Sequence, residues 1–316
     1  MSDLPSYTPI HPARSERVTV RDLPYHVLIW GDLSHITPDN PLLLMVHGWM
    51  DVAASFQFMV DELRAQPGWA TRPIVAVDWR GFGQTPPPPA TDSYFFADYL
   101  GDLDGLVHAL SPDQPIDLLG HSMGGNVVMM YAGIRPARIR RLVNLDGFGM
   151  AATAPDQAAD RYVKWLDEIR TPTALKTYDS REAVAARLRG NNPRLREDYA
   201  LWLAGHWARE EGGCWRINAD PVHKRPHPFL YRVEEVLSLW GRIACPTLML
   251  EGRQTDYFSM MSGRYTHEEF CQRIQVVPNL QRAVIEDAGH MLHHDQPAEV
   301  AHHVARHLAL PSAPGA

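Results

Sequence analysis

The chain has 316 residues, of which 45% are hydrophobic and 21% charged, and it can bury a substantial core in one large domain with an insertion or in two smaller domains. Its formal net charge of −7 at pH 7 argues against a surface for nucleic acid or for an anionic membrane. Small neutral or apolar molecules are therefore the expected partners, and the composition leaves the oligomeric state open.

The N-terminal segment and the cysteines bear on location. The first 16 residues are polar, with no apolar stretch, which predicts that no secretory signal is present. No stretch approaches the length of a membrane span. Cys214, Cys245 and Cys271 are widely spaced and odd in number, which is typical of reduced thiols rather than of a disulfide framework. The sequence predicts a cytoplasmic protein.

The first half of the chain has the pattern of a buried sheet. Residues 17–20 and 25–30 alternate in polarity and predict two strands joined by a turn around Leu23 and Pro24, which would form an antiparallel edge. Apolar runs follow, each with a segment after it long enough for a crossover helix. These runs cover residues 42–46, 74–77, 116–119 and 142–145. Because strands buried on both faces alternate here with helices, we predict a parallel sheet in an α/β fold.

The alternation stops between about Phe148 and Arg242, where the chain becomes helical, aromatic and rich in arginine. A strand resumes at residues 246–250, another is predicted at 283–286, and an amphipathic helix at 297–308 closes the chain. We interpret residues 149–242 as an inserted helical cap, and residues 1–148 together with 243–316 as the core domain. Trp202 and Trp207 are interpreted as contacts between cap and core, with substrate contact as the alternative.

Residues 120–124 read G-H-S-M-G, a G-x-S-x-G pentapeptide between a predicted strand and a helix-like segment. This context is typical of a nucleophile elbow, a sharp turn with the serine at its apex. Small residues are needed on both flanks because the turn is tight and its backbone strained. The helix N-terminus adds partial positive charge near a developing oxyanion. Ser122 is therefore the candidate nucleophile, and an ordinary strand-to-helix turn is the alternative.

A serine hydroxyl is a poor nucleophile at neutral pH and needs a base, which in turn needs a third group to hold its tautomer. His290, in Ala-Gly-His-Met after the last predicted strand, is the candidate base. His293 and His294 fit less well because they lie in the segment that leads into the last helix.

Asp256 is the predicted acid, because it lies on the loop after the strand at 247–250, at the carboxyl end where α/β sheets gather their active groups. Two rival acids remain. Asp146 ends the strand at 142–145, and Glu251 lies next to Gly252.

An oxyanion hole requires two backbone N–H donors aimed at the substrate oxygen. Met123, which follows the nucleophile, supplies one. Trp49 is the predicted second donor, because His47-Gly48-Trp49-Met50 follows the strand at 42–46 and matches the HG-x element. His47 itself is interpreted as a buried anchor of this loop.

Taken together, these motifs resemble the α/β-hydrolase superfamily, and in particular its serine hydrolase-like subgroup. The matching segments are residues 47–51 with 53–56, residues 78–83, the elbow, residues 215–221 and residues 289–290. The resemblance spans about residues 40–300. It implies a mostly parallel eight-stranded sheet flanked by helices, with an inserted helical cap, and the triad order Ser122, Asp256, His290. It also implies that Asp78 and Arg80 brace the loop below the active site.

The resemblance implies a reaction as well. Relatives that cleave epoxides or haloalkanes use an aspartate nucleophile, whereas Ser122 predicts an acyl-enzyme. The predicted function is a serine hydrolase that cleaves a small or medium carboxylic ester, with lactones and thioesters included. A C–C bond hydrolase, an amidase or a perhydrolase on the same triad is an alternative, and so is a non-catalytic ligand receptor.

No cofactor is expected, and the histidines near the C-terminus do not predict a metal site. Residues 290–294 contain the spacing H-x-x-H-H, which lacks the glutamate of a zincin helix. A solvated helix face with several histidines is a sufficient interpretation.

Overall fold

The apolar runs of the sequence form the middle of a large sheet in the computed structural model, which describes residues 7–309. Within that range the strands are β1 (Arg14–Val20), β2 (Leu23–Trp30), β3 (Leu43–Val46), β4 (Ile74–Val77), β5 (Ile116–His121), β6 (Ile139–Leu145), β7 (Thr177–Tyr178), β8 (Ala208–Glu211), β9 (Cys214–Ile217), β10 (Thr247–Gly252) and β11 (Leu280–Ile285). Residues 1–6 of the segment predicted to lack a secretory signal lie outside the described residues, as do residues 310–316.

Eight strands join in the order β1-β2-β4-β3-β5-β6-β10-β11, and β7, β9 and β8 form a small separate sheet. The pairs β1–β2 and β2–β4 are antiparallel, whereas every pair from β4 to β11 is parallel. The predicted mostly parallel sheet with an antiparallel edge is therefore confirmed. The β1–β2 turn lies at Arg21 and Asp22, both at positive φ as in a type I′ hairpin turn, and not around Leu23 and Pro24.

Helices cover both faces of the large sheet. They are α1 (Gln57–Arg64), α2 (Phe96–Leu110), α3 (Met123–Ile134), α4 (Ala158–Glu168), α5 (Arg181–Asn191), α6 (Glu197–Trp207), α7 (Val233–Trp240), α8 (Tyr257–Met260), α9 (His267–Arg273), α10 (Leu292–Asp295) and α11 (Pro297–Ala309). In β3, Leu43 and Met45 join the core under α1 and α11, while Leu44 and Val46 join the core under α2, α3 and α7. Strands buried on both faces explain the continuous apolar runs.

The interval 149–242 contains α4 to α7 and the small sheet. Helices α5 and α6 pack against each other, whereas α7 packs against α3 of the sheet layers. The division of the chain at residues 148/149 and 242/243 stays a prediction.

Tyr7 ties the start of the described chain to two helices. Its ring makes edge contacts with Phe58 on α1 and with Tyr199 and Trp202 on α6, at centroid distances of 5.1, 4.9 and 5.3 Å. Its hydroxyl donates a hydrogen bond to the Asp61 carboxylate on α1. Phe58 and Tyr199 are themselves stacked, with ring centroids 3.9 Å apart. This contact set, which we call the Tyr7 clamp, joins α6 to α1, and it gives Trp202 the packing role that the sequence suggested.

Within residues 7–309, no helix combines the length and the apolar character needed to cross a membrane. Cys214, Cys245 and Cys271 are free thiols, and Cys245 is buried.

Candidate active site

Ser122 lies at the sharp turn between β5 and α3, with φ 53° and ψ −115°. The turn is held by the Ser122 N–H, which donates to the Leu145 carbonyl oxygen at 2.8 Å. A Cβ atom on Gly120 would lie 2.3 Å from the Gly124 carbonyl oxygen, and one on Gly124 would lie 2.4 Å from the Val46 carbonyl oxygen. Both flanking glycines are therefore required by backbone contacts, as the pentapeptide suggested.

We expect Gly124→Ala to destabilise the fold by about 1–3 kcal/mol, because its methyl group meets backbone that no rotamer change can move. Thermal or urea unfolding measures this. Gly190→Ala is the matched control: Gly190 lies on α5 with open space around its Cβ position, so alanine there is expected to be neutral or stabilising. Equal midpoints for Gly124→Ala and wild type would contradict the close packing of the elbow.

His290 lies between Ser122 and a carboxylate. Its Nε2 is 2.8 Å from the Ser122 Oγ, and its Nδ1 is 3.0 Å from the Asp146 Oδ2. An ionised carboxylate only accepts, so Nδ1–H donates to Asp146 and Nε2 is left to accept the proton of the serine hydroxyl. The His290 side chain is about one-fifth exposed and faces the cavity described below.

Asp146 directly follows β6 in a turn that its neighbours fix. The Asn144 side chain accepts from the Gly147 N–H at 2.9 Å and donates to the Gly147 carbonyl oxygen at 2.8 Å, and Asp146 between them has φ 52°. Its Oδ1 accepts the Gly252 N–H from the end of β10 at 2.9 Å. Burial raises the pKa of the Asp146 carboxyl, while the hydrogen bond from His290 opposes that rise.

The expectation that Asp256 pairs with His290 is corrected by this geometry in favour of the rival Asp146. Asp256 precedes α8, where its carbonyl oxygen accepts from Ser259 Oγ at 2.7 Å, and its side chain lines the cavity. The His290 Nδ1–H donates instead to the Asp146 carboxylate. Asp146 directly follows β6, which pairs with β5, the strand that leads to Ser122. The other rival, Glu251, is engaged with His267 and Arg282.

The loop after β3 lies against the elbow. A Cβ atom on Gly48 would be 3.1 Å from the Ser122 Cβ, so Gly48, the residue before Trp49, lies against the nucleophile. Among the hydrogen bonds of residues 7–309, neither the Trp49 N–H nor the Met123 N–H donates to a protein acceptor. The Trp49 ring is half exposed, and its Nε1–H donates to the His223 carbonyl oxygen.

Buried polar groups fix this loop from below. His47 donates from Nδ1 to the Gly48 carbonyl oxygen at 2.7 Å and accepts the Trp79 N–H on Nε2 at 3.0 Å, and burial lowers its pKa to about 4. The Asp78 carboxylate accepts the backbone N–H of Ala53 at 2.7 Å and that of Gln84 at 2.8 Å. Asp78 thus holds the position that the resemblance implies.

Arg80 acts at a different place from Asp78. Its guanidinium forms a bidentate ion pair with the fully buried carboxylate of Asp102 on α2. Arg80 therefore ties the chain after β4 to α2.

A cavity of about 380 Å³ opens over Ser122 and His290. Its wall on the other side comes from the interval 149–242 and is largely apolar. The residues that α5, α6 and the segment between them contribute are Leu188, Asn191, Asn192, Leu195, Leu203 and Trp207. The Trp207 Nε1–H donates to the Met50 carbonyl oxygen at 2.8 Å, which attaches this wall to the loop after β3. A larger open groove of about 850 Å³, near Arg17 and Trp215, contains neither Ser122 nor His290.

Three buried side chains next to the elbow have polar atoms without a hydrogen-bond partner among the described residues. They are Asp51 (Oδ2), His121 (Nδ1) and His293 (both ring nitrogens). Burial lowers the pKa of His121 and of His293 well below the usual range, and it raises the pKa of Asp51 to about 7. We call these residues the Asp–His cluster. No sequence pattern indicated this cluster, because its members come from three separate segments.

Comparisons with known proteins agree with this architecture. The family model for the alpha/beta hydrolase fold matches residues 41–297. A serine hydrolase-like protein of Dictyostelium discoideum is 25% identical over 265 residues, which cover 78% of this chain and 69% of that protein. The sn-1-specific diacylglycerol lipase ABHD11 of Mus musculus is 26% identical over 300 residues, which cover 93% of this chain and 88% of the lipase.

Solved structures add support for the fold. The thioesterase domain from the curacin biosynthetic pathway superposes with a TM-score of 0.77 at 23% identity, over 92% of this chain and 99% of that domain. The family match covers most of the chain, and the eight-stranded sheet has the strand order and directions described above. The resemblance found in the sequence is confirmed: the chain belongs to the α/β-hydrolase superfamily.

Proposed function

We propose that this protein is a serine hydrolase that cleaves a small or medium carboxylic ester through an acyl-enzyme on Ser122. One observation carries the proposal: an unbroken series of hydrogen bonds runs from the Ser122 Oγ through both nitrogens of His290 to the Asp146 carboxylate. The strained backbone of Ser122 at a helix N-terminus supports the same role. The relatives named serine hydrolase-like and lipase are consistent with an ester substrate.

In the first half of the reaction, His290 Nε2 accepts the Ser122 proton as Oγ attacks the ester carbonyl carbon. The imidazolium that forms is stabilised by the Asp146 carboxylate, which also keeps the Nδ1 proton in place. His290 then gives its proton to the leaving alcohol, and the acyl group stays on Ser122. Asp146, and not Asp256, is the triad acid in this proposal.

The backbone N–H groups of Trp49 and Met123 form the oxyanion hole of the proposal. Met123 follows Ser122 directly, and Trp49 follows Gly48, which lies against Ser122. Neither N–H is used by a protein acceptor among the described residues. Two such donors stabilise the oxyanion of the tetrahedral intermediate more than the ground-state carbonyl.

In the second half, water replaces the alcohol. His290 removes a proton from that water as its oxygen attacks the acyl carbon, and then returns the proton to the Ser122 Oγ as the acid leaves. No cofactor takes part in this proposal, and thioesters and lactones react by the same steps.

The size of the substrate follows from the cavity in this proposal. A volume of about 380 Å³ lies in the range of about 300–1,000 Å³ that small-molecule sites occupy. We propose that residues 149–242 act as the cap, because α5 and α6 supply the wall opposite Ser122. The apolar side chains Leu188, Leu195 and Leu203 then face the acyl group.

Labelling with a fluorophosphonate probe tests the proposal. We expect one adduct per chain by intact mass, located on Ser122 by peptide mapping, because the probe reacts with activated serines. Protein unfolded by heat before exposure is the control, and it is expected to remain unlabelled. A labelled protein then justifies a screen of p-nitrophenyl esters of rising chain length.

The absence of an adduct on the folded protein, or an adduct on a different serine, would overturn the proposed mechanism. The first result combined with tight binding of a small ligand would favour a receptor without catalysis. Faster cleavage of anilides or C–C substrates than of esters would keep Ser122 and change the substrate class.

A further inference from the structure

The Asp–His cluster contains residue types that bind metal ions and brings them close together. One ligand atom from each of Asp51, His121 and His293 lies within 4.8 Å of the other two, and all three residues are more than nine-tenths buried. Their unpartnered atoms are a carboxylate oxygen and imidazole nitrogens. A buried polar atom without a partner destabilises a fold, so a group that satisfies these atoms together is favoured.

The tautomer of His121 is set by its other nitrogen. The His121 Nε2 lies 2.8 Å from the His290 carbonyl oxygen, which can only accept, so Nε2 carries the proton. The Nδ1 atom then carries no proton, and its lone pair has no hydrogen-bond partner among residues 7–309. A metal-binding histidine characteristically donates its second ring N–H to a carbonyl or carboxylate in this way.

The path to the cluster is short. Asp51 and His121 also line the cavity over Ser122, so the cluster borders this cavity at two of its three residues. His293 lies on α10, and its ring packs against His121 at a centroid distance of 4.5 Å. Two imidazoles and one carboxylate match the set of protein donors that zinc takes in open sites.

We propose that Asp51, His121 and His293 bind one divalent transition-metal ion, with zinc as the best match, and that the bound ion slows acylation of Ser122. The effect on acylation rests on the proposed function, whereas the binding site does not.

The inhibition follows from charge. The rings of His121 and His290 are 5.0 Å apart between centroids, and His290 must become positively charged when it takes the Ser122 proton. A divalent ion held by one carboxylate and two neutral imidazoles leaves a net positive charge beside that imidazolium. At this separation the repulsion is expected to slow acylation on the order of 10–100-fold.

Equilibrium dialysis of the chelator-treated protein against zinc chloride, with the metal counted by mass spectrometry, tests the site. We expect one tightly bound zinc ion per wild-type chain. His293→Leu and Asp51→Asn are each expected to weaken binding at least about 100-fold, because the first removes a ligand and the second removes the negative charge of the cluster. His307→Leu is the matched control: His307 is also a buried histidine near the C-terminus, lies outside the cluster, and is expected to leave binding unchanged.

Fluorophosphonate labelling rates, with and without one equivalent of zinc, give the second readout. The rate should fall 10–100-fold in wild type and stay constant in His293→Leu. Failure of the wild type to bind zinc, or undiminished binding by His293→Leu, would overturn the site. Binding with an unchanged labelling rate would overturn the coupling to His290. If the chelator-treated protein binds zinc but is never labelled by the fluorophosphonate, even without zinc, the result would support the metal site and refute the proposed hydrolase function.

Discussion

Ser122→Ala is expected to lower kcat for p-nitrophenyl butyrate by about 10⁶-fold, the scale on which nucleophile loss acts in serine hydrolases. The reason is geometric: the Ser122 Oγ is the atom 2.8 Å from the His290 Nε2, and alanine removes it without disturbing the elbow. Steady-state kinetics with wild type measured beside the mutant give the value. Fluorophosphonate labelling should disappear in the same sample.

Ser111→Ala is the control for this prediction. Ser111 is a buried serine whose hydroxyl donates to the Gln114 carbonyl oxygen after α2, away from the cavity. We expect its kcat to stay within a few-fold of wild type. If Ser122→Ala kept more than a hundredth of the wild-type turnover, another group would have to carry the acyl intermediate.

Asp146→Asn is expected to lower kcat by about 10⁴-fold with the fold intact, because loss of the triad carboxylate leaves histidine in the wrong tautomer. Asparagine tolerates the positive φ of residue 146, and its carbonyl can still accept the Gly252 N–H. The amide NH₂ then points to the His290 Nδ1 and shifts the ring proton to Nε2. That nitrogen can no longer accept the Ser122 proton.

Asp256→Asn separates the two candidate acids. Both aspartates follow strands of the large sheet and both changes remove one charge, but the His290 Nδ1 bonds to Asp146 alone of the two. We expect Asp256→Asn to change kcat/KM only a few-fold, through its place in the cavity wall. A 10⁴-fold loss in Asp256→Asn with mild effects at Asp146 would reverse the assignment. Thermal unfolding of both variants separates a catalytic effect from a folding defect.

Much of the sheet could be predicted from sequence because its strands are buried on both faces. The run at residues 74–77 coincides with β4, and the run at 42–46 contains β3. The elbow could be predicted as well. Its two glycines are required by backbone contacts, in one case with residues close to Ser122 in the chain and in the other with the end of β3. A constraint that acts within a short segment can be recognised as a sequence motif.

The acid could not be predicted in the same way. Asp146 and Asp256 both follow strands at the same edge of the sheet, so position along the chain does not decide which one faces His290. The deciding feature is the turn that Asn144 closes on Gly147, which places the Asp146 carboxylate between the Gly252 N–H and the His290 ring. Which aspartate faces His290 therefore depends on how three strands are placed relative to one another, and no single segment of the sequence determines it.

The Asp–His cluster has the same character. Asp51 follows β3, His121 ends β5 and His293 lies on α10, so the three are brought together only by the fold. The spacing within residues 290–294 gave no metal motif, because two of the three ligands lie elsewhere in the chain.

The Tyr7 clamp makes the N-terminal segment a determinant of substrate access. Helix α6 carries Leu203 and Trp207 on the cavity wall. It is joined to α1 by a direct ring stack and also through Tyr7, which belongs to neither helix. For α6 to swing outward while Tyr7 stays bonded to Asp61, the ring contacts of Tyr7 with α6 and the direct stack between α6 and α1 must both separate. Proteolytic removal of a segment that includes Tyr7 would therefore weaken the attachment of α6 while leaving Ser122, His290 and Asp146 in place.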